Sequence, residues 1–168
     1  MRRFRNHGTG SLFQIFVMLL LAWPAASRLW GQTLRITCGS AQTDHVAADG
    51  TVWLTDRYYS GGDAGYSRED ISNTSELYLY RTTRYGLWED FSYRIPAPNG
   101  FYTLTLKFAE WRYWNPGERV FHVAVNGARV LSNFDILAEA PARAALDKQF
   151  PVQVTNGDRK STRLNSSH

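Results

Sequence analysis

The chain has 168 residues, 19 basic and 15 acidic, a formal charge of +4 and one cysteine. That length suits one domain with a real core, and a single cysteine excludes an internal disulfide. The basic excess sits at the ends: Arg2, Arg3, Arg5 and Arg28 precede residue 33, and Arg159, Lys160 and Arg163 lie in the last ten, leaving 12 basic against 15 acidic residues between. A middle of about −3 lacks the basic stripe of a nucleic-acid reader, so nucleic acid is not an expected partner.

Residues 1–32 read as a secretory signal. Arg2, Arg3 and Arg5 form a positive n-region, Leu12 to Trp23 an apolar h-region, and Pro24-Ala-Ala-Ser27 a small-residue cleavage site. The apolar run is short for a membrane-spanning helix of about 20 residues, which favours a cleaved signal over a retained anchor. The mature chain then starts between Ser27 and Gln32, outside the cytoplasm.

Short strands follow. Leu34 to Cys38 alternates and breaks at Gly39-Ser40; Thr51 to Leu54 is extended after the turn signal Asp49-Gly50. Cys38 reads as a small buried hydrophobe. Asp56 to Tyr66 is too rich in glycine for a regular element; it presents rings on a tight backbone or packs them on the domain edge. Asn73-Thr74-Ser75 is a glycosylation sequon, meaningful in a eukaryotic secretory pathway. Leu77 to Tyr80 starts a strand that runs into Arg81 to Tyr85, and Phe91 to Ile95 alternates again.

Phe101 to Ala109 alternates large apolar residues with Thr103, Thr105 and Lys107, the pattern of a strand with one buried face. Trp111, Tyr113 and Trp114 follow where that strand gives way to a loop. Val120 to Val125 and Ala128 to Leu131 form a hairpin across Asn126-Gly127, which suits a type I′ turn. Pro141 limits the Ala-rich stretch 136–146 to a short helical turn or two. Lys148 to Val154 is another strand. Asn156-Gly157 opens a turn with no apolar strand after it, so residues 158–168 read as a polar, non-native or disordered tail. The domain organisation is thus signal 1–32, domain 33–157 and tail 158–168. The fold class is all-β, an antiparallel sandwich whose final strands are missing. No zinc pattern or phosphate loop occurs, and no metal or cofactor is expected.

Five separated motifs together resemble the malectin domain: Arg35 to Ser40, Leu79 to Tyr85, Tyr102 to Glu110, Arg119 to Gly127 and Asn133 to Ile136. They stand in the family's order and cover about residues 33–157. The resemblance implies a jelly-roll-like sandwich that binds carbohydrate without turning it over. It also implies an extracytoplasmic setting, with the endoplasmic reticulum lumen as the setting in a eukaryote, and further domains in a longer protein. The family holds sugar with loop aromatics at one rim and a C-terminal acid that this chain lacks. Its tyrosine falls on Tyr85, its aromatic pair on Arg112 and Tyr113, and an earlier aromatic loosely on Tyr66. Arg112 departs from the pattern, and Trp111 or Trp114 substitutes if the loop shifts by one.

Tyrosine and tryptophan offer a flat apolar face with a polar tip, which suits the C–H face and hydroxyl edge of a pyranose. Glu110 either accepts a sugar hydroxyl or pairs with a neighbouring arginine. Asp135 reads as a turn acid. The candidate carbohydrate-binding residues are therefore Tyr85, Tyr113, Trp111, Trp114, Arg112, Tyr66 and Glu110, and the expected partner is an oligosaccharide, glucose-containing in the family's namesake. One alternative is a glycoside hydrolase or lyase using Glu110 with Glu89 or Asp90. Glu89 and Asp90 are adjacent, so on a strand they point to opposite faces. The other alternative is a protein-interaction sandwich with no sugar site.

Overall fold

The computed structural model describes residues 17–21, 33–40, 43–86, 90–155 and 162–167. In chain order its elements are β1 (Val17–Leu21), β2 (Arg35–Ile36), β3 (His45–Val46), β4 (Val52–Trp53), β5 (Tyr59–Ser60), β6 (Asp63–Tyr66), α1 (Leu77–Arg81) and β7 (Thr82–Tyr85). Then come β8 (Ser92–Ile95), β9 (Gly100–Phe108), β10 (Phe121–Val125), β11 (Ala128–Phe134), a 3-10 turn (Ile136–Ala138), β12 (Leu146–Val154) and β13 (Thr162–Ser167). One sheet has the order β12-β9-β1-β2 and the other β11-β10-β13-β8-β5; the pairs β3-β4 and β6-β7 stand beside them. All the strand pairs are antiparallel.

The core follows from period-2 alternation. Tyr102, Leu104, Leu106 and Phe108 turn one face of β9 inward, and Tyr93, Ile95, Phe121, Val123 and Val125 come from the facing sheet. Phe108, Phe121 and Phe134 meet with ring centroids 5.2–5.9 Å apart. Phe121 and Phe134 lie edge to face, a favourable aromatic geometry. At the β10-β11 turn Asn126 and Gly127 have φ of 51° and 85°, as a type I′ turn requires. A second cluster joins Leu79 and Tyr80 of α1 to Ala47, Trp53, Ile71 and Ala109.

Two expectations change. Leu77–Arg81 is a helical turn, not the start of a strand. Leu79 and Tyr80 are consecutive and both buried, which a strand's opposite-facing alternation does not favour for a segment packed on one side. Within the glycine-rich stretch, Asp63–Tyr66 forms a regular ladder with β7. The segment read as a polar tail contains β13, which pairs with β10 and β8. Backbone groups at open strand edges need partners irrespective of side-chain polarity, so a polar sequence can fill that gap. Val17–Leu21, inside the stretch read as a signal, lies between β9 and β2. The Asn156-Gly157 turn falls outside the described residues.

Candidate functional site

The aromatic loop begins where β9 ends. Glu110 is 1% exposed. Its Oε1 accepts the N–H groups of Arg112 (2.7 Å) and Tyr113 (3.0 Å), and Oε2 pairs with Nη1 of Arg119. Glu118 repeats the device from the loop's far side: its Oε2 accepts the N–H groups of Trp114 (3.0 Å) and Asn115 (2.8 Å). Those two N–H groups hold the Glu118 carboxyl below its ordinary range. Two carboxylates thus grip the consecutive amides 112–115 and set the path on which the aromatic side chains stand. Asp135 pins the next turn, accepting from Gly117 N–H at 2.5 Å and Leu137 N–H at 2.9 Å.

Two arginines support the rings. The guanidinium carbon of Arg119 lies 4.5 Å from the Tyr113 ring centroid, and that of Arg143 lies 4.7 Å from Trp114. Both are within cation–π range. Arg119 is 4% exposed; burial lowers its pKa, and the Glu110 charge opposes that shift. Arg143 stands at φ 60°, a left-handed conformation uncommon for a side chain of its size. Its N–H donates to the Glu110 carbonyl at 2.6 Å, its carbonyl accepts from Ser72 N–H at 2.8 Å, and its Nη1 reaches Glu69 at 2.9 Å. Arg143 therefore joins the aromatic loop to the segment that follows β6.

The tyrosines of β6 and β7 are placed by another buried pair. Asp56 Oδ2 accepts from Arg84 Nε at 2.8 Å and from Gly39 N–H at 2.7 Å, and its Oδ1 accepts from the Tyr93 hydroxyl at 2.7 Å. Arg84 Nη1 also donates to the carbonyls of Gly61 and Gly62. This network ties the glycine-rich stretch to the sandwich. The ladder pairs Asp63 with Tyr85 and Tyr66 with Thr82, so Tyr85 and Tyr66 stand at opposite ends of a ribbon about 10 Å long. They also point to opposite faces of it. The Tyr85 ring lies against Gly65, with a ring carbon 3.1 Å from where a Cβ there would stand. Tyr66 is 54% exposed and tilts against Tyr78, centroids 6.5 Å apart.

The structure thus brings Glu110, Arg112, Tyr113 and Trp114 into one braced loop. Trp111 turns inward against the second cluster, while Trp114 is 61% exposed and Arg112 is exposed. Register separates Tyr66 from Tyr85. Glu110 holds backbone and Arg119 rather than facing solvent. Asp90 is exposed, and Glu89 lies outside the described residues. Sequence reasoning offered an arginine partner for Glu110 without naming Arg119, and it missed Arg143 and Glu118 as supports. The available signal was the Glu110–Arg119 pairing of opposite charges across the aromatic cluster; Arg143 was hidden in an Ala-rich stretch. Among the described residues no group of three or more His, Cys, Asp or Glu side chains is placed to hold a metal ion.

The family model described as Malectin domain matches residues 32–165. The chain belongs to the malectin domain family. It is 37% identical over 87 residues to Malectin-A of Xenopus laevis, covering 51% of this chain and 31% of that protein. It is 36% identical over 87 residues to Malectin of Homo sapiens, covering 51% and 30%. The chain thus spans about a third of the length of these curated relatives. Among solved structures, the ANX1 ectodomain from Arabidopsis thaliana superposes with a TM-score of 0.64 at 16% identity, over 92% of this chain and 49% of that one. A Bacteroides uniformis beta-glucuronidase does so with a TM-score of 0.62 at 23% identity, over 79% and 15%. These two likenesses speak to the fold, an all-β sandwich. The matched span extends past residue 157 into β13, further than the motif resemblance alone.

Proposed function

We propose that this domain binds an oligosaccharide without catalysis, through the aromatic loop 110–118 at the rim of the sandwich. The observation that carries the reading is the bracing of Tyr113 and Trp114. Two carboxylates hold the loop's amides and two arginines back its rings, so the rings are preorganised and little freedom is lost on binding. Membership of a carbohydrate-binding family supports the same conclusion. Tyr85 and Tyr66 stand on separate faces of their own ribbon, so Tyr113 with Trp114 forms the main platform, and Arg112 donates hydrogen bonds where the family carries an aromatic. Burial and full engagement of Glu110 argue against its use as the acid or base of a hydrolase.

A glycan array with the intact chain tests the reading. Binding of at least one oligosaccharide, weakened by Tyr113→Ala, is the expected outcome. Absence of any bound glycan, or unchanged binding in Tyr113→Ala and Trp114→Ala, overturns it. Release of reducing ends from a glucan panel, abolished by Glu110→Gln, would instead establish an enzyme.

Export is the companion proposal, supported by the Arg-led apolar segment within residues 1–32. Among the described residues no helix is long and apolar enough to cross a membrane. N-terminal sequencing of the exported protein decides whether β1 remains: a start between Ser27 and Gln32 supports cleavage, and retention of Val17–Leu21 refutes it.

A further inference from the structure

A groove of about 400 Å³ lies away from the aromatic loop, between the β3-β4 hairpin, the start of α1 and the outward face of β9. Arg35, Asp49, Thr51, Trp53, Glu76 and Lys107 line it, and no residue of the loop 110–118 does. Its volume lies within the range of small-molecule sites.

The walls are latched to one another. Glu76 on the α1 side accepts Ala48 N–H of the hairpin at 2.7 Å and contacts His45 Nε2 at 3.3 Å, while His45 stacks on Tyr78 with centroids 4.6 Å apart. On the opposite wall Lys107 Nζ lies 2.5 Å from Asp147 and 3.0 Å from the Tyr80 hydroxyl, which itself donates to Asp147 at 2.7 Å. Trp53 and Leu79 supply apolar floor. A groove with its walls already bonded needs little ordering to receive a ligand.

Polar groups point to the ligand's chemistry. The Arg35 carbonyl accepts from Leu54 N–H at 2.9 Å, but its guanidinium, which lines the groove, makes no hydrogen bond or ion pair among the described residues. The N–H and hydroxyl of Thr51 hold the Asp49 carboxyl below its ordinary range, and the Arg35 charge adds a smaller push in the same direction. Two cations, Arg35 and Lys107, and two carboxylates, Asp49 and Glu76, share the lining. A ligand carboxylate or phosphate drawn to Arg35 would meet Asp49, and an ammonium drawn to Asp49 would meet Arg35. A neutral ring bearing hydroxyls avoids both conflicts: hydroxyls donate to the carboxylates and accept from the guanidinium.

We infer that this groove is a second carbohydrate subsite, taking a neutral pyranose between Arg35 and Asp49 over the Trp53–Leu79 floor. It is built from residues the aromatic loop does not use, so the two sites stand or fall separately.

Two-dimensional NMR of the labelled full chain, titrated with maltose and in parallel with sodium glucuronate, tests it. The amides of Ala48 and Thr51 and the Trp53 indole N–H shift saturably with maltose, with an affinity on the order of millimolar. Arg35→Gln and Asp49→Asn each weaken that response about tenfold, the weight of one charge-assisted hydrogen bond. Tyr113→Ala leaves it unchanged. The subsite is refuted if the groove signals stay still while the loop signals move, if both groove variants respond like the parent, or if glucuronate binds more tightly than maltose. Groove signals moving alone would sustain the subsite and defeat the loop proposal.

Discussion

Arg119 lies beneath Tyr113, guanidinium carbon 4.5 Å from the ring centroid, while its Nη1 pairs with Glu110. One buried side chain thus neutralises the loop's internal carboxylate and supports its central ring. Removing it leaves the Glu110 charge buried without a counter-ion. Arg119→Met should cost about 3–5 kcal/mol of stability, the usual penalty for breaking a buried pair from one side. Urea denaturation of parent and variant measures it, and a loss within the range of an exposed pair would show that the loop relaxes to admit water.

Glu110 has a second duty that charge alone does not describe. It accepts two backbone N–H groups as well as the arginine. Glu110→Gln keeps a carbonyl oxygen for those amides, and Glu110→Ala keeps none. The alanine variant should be the less stable by about 1–3 kcal/mol. Hydrogen exchange at the Arg112 and Tyr113 amides should accelerate most in that variant.

Tyr113 and Trp111 are neighbours in the loop with different expected phenotypes. Tyr113→Ala should weaken glycan binding about tenfold, or ~1.4 kcal/mol, with a small change in melting temperature. Trp111 packs on the second cluster, so Trp111→Ala should act mainly on stability, by up to about 3–5 kcal/mol. Glycan titration and thermal unfolding of both variants separate the roles, and equal effects on binding would disprove the division.

Gly39 and Gly50 have similar φ, 77° and 82°, but different surroundings. A Cβ on Gly39 would stand 2.0 Å from the Thr83 carbonyl oxygen, whereas one on Gly50 would meet nothing within 4 Å. Gly50→Ala should cost about 1–2 kcal/mol for its left-handed backbone alone. Gly39→Ala should cost clearly more, about 3 kcal/mol or above, because β7 must move as well. Paired denaturation curves provide the comparison.

Stability should fall in alkali. Burial, with the Asp147 charge behind it, raises the Tyr80 pKa, and burial raises that of Tyr93 beside Cys38 and Asp56. A phenol whose folded pKa exceeds its unfolded value stabilises the fold fully below the unfolded pKa of about 10, and that contribution is lost as pH rises toward the folded pKa. The urea midpoint should therefore decline above about pH 10. Tyr80→Phe should flatten that decline, and an unchanged slope in this variant would rule out Tyr80 as a source.

Much of the fold was legible in the residues alone. Alternation at Tyr102, Leu104, Leu106 and Phe108 marks β9, and Asn126-Gly127 marks the β10-β11 hairpin, because strand periodicity and turn backbone are local properties. The all-β class and the aromatic loop after β9 followed from the same kind of signal. The helical turn at Leu77–Arg81 and the pairing of β13 did not, since they depend on what the rest of the sandwich leaves uncovered.

Within the candidate site, sequence by itself determined which residue types crowd the loop: Glu110, Arg112, Tyr113 and Trp114. Tertiary structure alone decided their duties. It turned Glu110 inward, placed Arg119 and Arg143 behind two rings, and set Tyr66 and Tyr85 on opposite faces of one ribbon. The physical reason is that charge pairing, ring stacking and strand register are relations between segments distant in the chain. Arg143 meets Trp114 from a backbone bonded to both Glu110 and Ser72.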